Sequence, residues 1–119
     1  MAESGLFIGW GDICTGRDAA ANKVFAEALA YWPTLQAAGE IDSVETVILG
    51  VHGGDLAGFF LLRGDPERLG RLSMAPEFVR LIQRAAVVVE GLGVVPANLD
   101  AQAVREVGDA TQATVDLIG

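Results

Sequence analysis

One cysteine, one lysine and one histidine are all that 119 residues contain. The lone Cys14 rules out an internal disulfide and any multi-cysteine metal site. Lys23 is the only lysine, and eight bases face sixteen acids, for a net charge of −8. Nucleic-acid binding rests on neutralising phosphates with a basic patch, so this balance excludes it as an expectation. Docking on anionic lipid is disfavoured for the same reason. No run approaches the ~18 apolar residues of a membrane span, and no basic segment leads into an apolar core at the start. A soluble, reduced, cytoplasmic protein is expected, with no metal and no bound cofactor.

Charged residues make up 20% of the chain and apolar residues 51%, which leaves little solvating surface for a globular protein. That shortage suits a chain that hides surface in an oligomer. The few bases are unevenly placed. Residues 63–84 carry Arg63, Arg68, Arg71, Arg80 and Arg84 against three acids, while residues 1–62 carry two bases and eight acids. The plain explanation is a solvated helix face with Glu77 and Arg80 one turn apart; the functional one is a site for an anionic ligand.

The length fits one domain, residues 1–119, large enough for a core without staples. Residues 5–12, GLFIGWGD, read as a strand with Leu6, Ile8 and Trp10 on one face and Phe7, Gly9 and Gly11 on the other, where a helix or ligand could approach the backbone. From about Asp18 to Ala38, Val24, Phe25, Ala28, Leu29, Trp32 and Leu35 recur at helical spacing, with Thr15 or Asp18 as cap and Gly39 as stop. Pro33 predicts a kink or break near Tyr31–Trp32.

Residues 41–51 and 56–63 read as a hairpin closed by a two-residue type I′ turn at Gly53-Gly54. That register pairs Val51 with Leu56, Leu49 with Gly58 and Val47 with Phe60. It leaves Val44, Thr46, Ile48, His52, Asp55, Ala57, Phe59, Leu61 and Arg63 on the other face. A slip of one residue would exchange these sets, but both are largely apolar either way. Asp65-Pro66-Glu67 and Ala75-Pro76-Glu77 are helix starts, with Phe78, Leu81, Ile82, Ala85 and Val88 on one stripe of the second. Leu92 to Val95 form a last strand. Residues 100–118 hold Val104, Val107, Thr111, Val115 and Ile118 at helical spacing.

The order β-α-β-β-α-β-α contains the split βαβ, ferredoxin-like pattern over residues 5–95, followed by a C-terminal helix at 100–118. It is an α+β class with a four-stranded antiparallel sheet and both crossover helices on one side. The second side is apolar too, and must be covered by the C-terminal helix or by another copy's sheet. LFIGWGD, the hairpin around HGGD and APEFVRLIQRAAVVVEGLGVV together resemble the dimeric α+β barrel superfamily. Its members include YCII-like, antibiotic-biosynthesis-monooxygenase-like and EthD-like proteins, many of unknown function. The resemblance implies two sheets stacked across a two-fold axis and a pocket between each sheet and its helices. It does not choose a reaction, because one fold hosts many. The asparagine, tryptophan and histidine set of its haem-degrading members has no counterpart: Asn22, Trp10 and His52 stand in the wrong order.

His52 flanks the expected turn opposite Asp55, and a carboxylate beside an imidazole would orient and charge it for acid–base work. Alternatively the two only finish a hairpin. Asp12, in the loop after the first strand, is a second candidate base or a plain turn former. Cys14 has no activating base nearby in sequence. Trp10 and Trp32 could wall a cleft for a flat apolar ligand, or be core. Arg63 could grip a carboxylate, or pair across its strand. The function expected is a homodimer that binds, and could transform, a small apolar or aromatic molecule without metal. The alternative is a non-catalytic regulatory or protein-interaction module with little cavity volume.

Overall fold

The computed structural model describes residues 4–119. Its elements run β1 (Ser4–Trp10), α1 (Asp18–Ala37), β2 (Ser43–Ile48), β3 (Gly58–Gly64), α2 (Pro66–Leu72), α3 (Pro76–Ala86), β4 (Gly93–Asn98) and α4 (Ala101–Ile118). The four strands form one antiparallel sheet in the order β2-β3-β1-β4. This is the ferredoxin-like α+β arrangement, with α4 added after it.

One face of the sheet carries Leu6, Ile8, Phe60 and Leu62, all 5% exposed or less. They pack under Val24, Ala28, Trp32 and Leu35 of α1 and Phe78 and Leu81 of α3. Each large apolar side chain buried in this way contributes roughly 1.5–3 kcal/mol. The opposite face, which we call the open face, carries Phe7, Val47, Phe59 and Leu61, partly exposed, with Phe7 and Phe59 in contact at 5.0 Å.

Both proline-led helix starts form. Asp65 caps α2 by accepting from the Arg68 N–H at 3.1 Å, and Pro66 and Pro76 take first-turn positions. β4 runs to Asn98, past the expected end at Val95, and admits Pro96 because it lies at the sheet edge, where a missing N–H is tolerated.

Several expectations are corrected. α1 begins after Arg17 with no side-chain cap, so neither Thr15 nor Asp18 plays that role. It also runs through Pro33 as a single helix. Leu29, whose carbonyl loses its partner, and Pro33 are both exposed, so water can reach that carbonyl. Trp32 and Leu35, buried at 2% and 8%, hold the chain on either side of the proline. Gly39 does end the helix, at φ 75°.

The hairpin departs furthest from expectation. Residues 49–57 join β2 to β3 as a long loop rather than a two-residue turn. Only Gly53 has a left-handed φ, of 81°, whereas a type I′ turn needs two such residues. The register is therefore Val44↔Leu62, Thr46↔Phe60 and Ile48↔Gly58, one residue from the expected pairing. The slip exchanges the faces of β2: Val44, Thr46 and Ile48 join Phe60 on the helix side, and Val47 joins Phe59, Leu61 and Arg63 on the open face. His52 and Asp55 belong to neither face, since both lie in the loop. The space beside Gly9 on the open face is taken by Phe7 and Leu56, not by a helix.

Candidate functional site

A cavity of ≈ 250 Å³ lies between the sheet and α1 and α3. Four aromatic rings form its frame. Phe60, on β3, meets Trp10 at 4.9 Å, Trp32 edge-on at 5.2 Å and 67°, and Phe25 stacked at 5.6 Å and 23°. Such offset and edge-on pairs each add about 0.5–1.5 kcal/mol beyond simple burial, so the frame is stiff. Ile82 and Ala85 of α3 supply the other wall, and the exposed Ile13 and Ile48 stand at the rim.

Among the described residues no charged side chain lines this cavity, and Asn22 is its one polar residue besides the two tryptophans. The Trp32 Nε1–H is buried without a hydrogen-bond acceptor among the described residues. The site can therefore shelter an uncharged apolar or aromatic molecule, and it offers no titratable group to move a proton.

Trp10 and Trp32, singled out in the sequence, are both in the wall. Their partners Phe25, Phe60, Ile82 and Ala85 were legible only as core stripes, because a cavity wall and a solid core share the same apolar spacing. The α1–α3 lid over the cavity is tied by Arg84, whose Nε and Nη2 donate to the two carboxylate oxygens of Glu27 at 3.1 and 2.7 Å. Arg17 reaches from the start of α1 to the Val87 carbonyl at the end of α3.

The acid–base candidates lie elsewhere. The His52 Nδ1 accepts from the Gly54 N–H at 3.2 Å, and its Nε2 sits 2.8 Å from the Leu56 carbonyl oxygen. Both ring nitrogens are thus engaged by the loop's own backbone, and Asp55 is a partner of neither. Asp55 turns instead toward a second, more polar depression of ≈ 440 Å³, which it lines with Asp12, Glu90 and the edge of Trp10. Its floor is backbone: the Gly11 N–H donates to the Glu90 carbonyl at 2.7 Å, and the Glu90 N–H to the Asp12 carbonyl at 2.8 Å. Among the described residues no group of three histidine, cysteine or acidic side chains is placed to hold a metal. Cys14 is partly exposed beside this loop, its N–H bonded to the Val88 carbonyl.

Arg63 is engaged across its strand, donating to Glu45 at 2.7–2.8 Å on the open face. Of the other four arginines of the basic segment, Arg68 is occupied by the Gly39 carbonyl at 2.7 Å, Arg84 by Glu27 at 2.7 Å and Arg71 by Glu67 at 3.9 Å. Tyr31 has its hydroxyl pKa raised, first by burial and then by the negative charges of Glu77 and Glu40. Among the described residues no helix is long and apolar enough to cross a membrane.

No family model matches the chain, and no curated protein matches it. Solved structures do. A dimeric protein of unknown function with a ferredoxin-like fold, from Bacteroides fragilis NCTC 9343, superposes with a TM-score of 0.58 at 13% identity over 81% of this chain and 96% of its own. A protein of Chloroflexus aurantiacus J-10-fl, provisionally named an antibiotic biosynthesis monooxygenase, gives a TM-score of 0.46 at 13% identity over 80% of this chain and 91% of its own. What the first likeness establishes, with the strand order above, is that this chain has a ferredoxin-like α+β fold.

Proposed function

We propose that the protein is a homodimer that binds a small, uncharged apolar or aromatic molecule in the cavity between its sheet and helices, as a single domain of the dimeric α+β barrel kind. The observation that carries this reading is the aromatic frame of Trp10, Phe25, Trp32 and Phe60 around a space without a charged wall. Ligand sites are mostly apolar with few polar groups and usually span about 300–1,000 Å³; at ≈ 250 Å³ this one suits a ligand smaller than most. The dimer is supported by the partly exposed open face and by the dimeric Bacteroides fragilis protein of the same fold. Two sheets stacked about 10 Å apart would cover both open faces.

Binding is better supported than transformation. The candidate acids and base, Asp12, Asp55 and His52, stand outside the aromatic cavity. The alternative of an interaction module without a ligand called for little cavity volume, and the ≈ 250 Å³ space favours the ligand reading.

The test uses the neutral fluorophore N-phenyl-1-naphthylamine. One binding site per chain is expected, together with a raised melting temperature, since a ligand at 100 times its Kd stabilises by about 2.7 kcal/mol. Ala85→Phe, which fills the cavity from α3, should abolish both effects. A probe that does not bind, or binds Ala85→Phe equally well, refutes the site. Sedimentation equilibrium should give twice the chain mass of 12.4 kDa.

A further inference from the structure

Among the described residues a single side-chain nitrogen or oxygen is buried without a partner, the Nε1 of Trp32. Buried polar groups are nearly always paired, so an exception calls for a cause. The indole is 2% exposed, and the core around it holds no buried polar or charged residue to accept from it. Its ring neighbours are Tyr31, Phe60 and Phe78, with centroids at 5.6, 5.2 and 6.4 Å, and none supplies an acceptor. An unpaired donor in a dry interior loses all its hydration, a penalty larger than the net worth of a finished bond. Trp10, the other indole of the cavity wall, is only partly buried and carries no such deficit.

The place of Trp32 in the cavity gives the deficit its meaning. Along α1 the lining runs from the exposed Asn22 to Trp32, about 15 Å further at the rise of a helix. Asn22 therefore stands at the mouth with Ile13 and Ile48, and Trp32 at the inner end. The inner end offers a donor and no side-chain acceptor, because an indole can only donate. An anion is disfavoured there, since no cation lines the wall to offset its desolvation. A hydroxyl or amide would complete the bond but bring a donor of its own and leave that one unpaired. An oxygen that only accepts matches the site without a remainder.

We propose that the Trp32 Nε1–H is the recognition point of the cavity, and that its ligand is a neutral, largely apolar or aromatic molecule whose leading end carries a carbonyl or ether oxygen. The proposal rests on the ligand cavity argued above and names the chemistry that fills it. Water does not reach the nitrogen, so the ligand completes the bond by drawing the indole toward the cavity space beside it, a side-chain adjustment common on binding.

The experiment compares 1-indanone with indane, bicyclic molecules that differ by one carbonyl in place of a methylene. Each displaces N-phenyl-1-naphthylamine from the full chain, which gives its Kd. Trp32→Phe removes the N–H and part of the ring, so both ligands should weaken, 1-indanone about three- to tenfold more than indane. The wild-type protein supplies a second readout that does not depend on the variant folding. Its two tryptophans give two indole 1H–15N peaks, assigned with Trp10→Phe, and the Trp32 peak should move further downfield with 1-indanone than with indane. Equal weakening of the two ligands, or a Trp32 peak that responds to both alike, overturns the proposal and leaves the cavity standing. So does a Trp32 peak that lies upfield in the free protein and stays there, since the N–H is then directed at the face of the Phe60 ring. If N-phenyl-1-naphthylamine, indane and 1-indanone all fail to bind, the cavity and its recognition point fall together.

Discussion

Trp10 lies directly over Gly58. The two are register partners across β1 and β3, and a Cβ on Gly58 would sit 2.8 Å from the indole Cζ2. The glycine is what lets the indole lie flat at the sheet end of the cavity and reach Phe60. The same added carbon would stand 2.7 Å from the Val47 carbonyl oxygen, which belongs to rigid backbone. Gly58→Ala should therefore destabilise the fold by about 1–3 kcal/mol, the usual cost of overpacking. It should also weaken probe binding, because Trp10 must move. Urea denaturation and probe titration of the same variant check both. An unchanged unfolding midpoint would show that the strands part more easily than the contacts imply.

His52 is engaged by its own loop on both ring nitrogens. It closes the loop as a spacer and offers neither nitrogen to a ligand. His52→Ala should cost about 1 kcal/mol or less, the scale of exposed hydrogen bonds, and leave probe affinity unaltered. Asp55→Ala, in the other depression, should leave it unaltered as well. A large loss of binding in either variant would move the functional site away from the aromatic cavity.

The register shows why the sequence carried the fold further than the site. The order of elements follows from signals with a local cause: Asp65 and Pro66 start α2, Gly39 stops α1, and the stripe from Phe78 to Ala85 makes α3. Pairing in the hairpin has no such cause. Val44, Val47 and Ile48 put apolar side chains on both faces of β2, so no alternation penalises a slip. Only the geometry of the loop decides, and the two glycines suggested a tighter turn than the chain makes. His52 and Asp55 were drawn together by that turn and separate once it is lost. Trp10 and Trp32 stand together in the cavity wall because their placement depends on β1 and α1, whose faces were readable. That Phe60 would join them, and not Phe59, required the true register.

Tyr31 is the only tyrosine, so absorbance near 295 nm reports its ionisation directly. Burial and then Glu77 and Glu40 disfavour the phenolate, so its pKa is raised. The titration midpoint in the folded protein should exceed the ordinary value of about 10. Below that pH the phenol is neutral in both folded and unfolded chains and costs nothing. As pH rises, the unfolded chain ionises first, and stability falls until the folded-state pKa is passed. Glu77→Gln should lower the midpoint by removing one of the repelling charges. A midpoint that ignores Glu77→Gln would leave burial and Glu40 to account for the shift.

The Arg84–Glu27 pair joins the two helices above the cavity and looks like the clasp that holds them there. Its energetics argue otherwise. Both side chains are more than a third exposed, at 45% and 37%, so water and salt screen the attraction. A double-mutant cycle through Arg84→Ala and Glu27→Ala should yield a coupling of about 0.2–1 kcal/mol, shrinking further in 1 M salt. Leu81, from the same helix, is 8% exposed and reaches the cavity wall. Leu81→Ala should cost about 2–5 kcal/mol by leaving space that the aromatic frame cannot fill. It should also slacken selectivity, admitting larger neutral probes than the wild type accepts. The inequality between the two is the measurement that matters. If breaking the ion pair proved the costlier change, α3 would be held over the cavity by charge, and ligand affinity would have to fall with ionic strength.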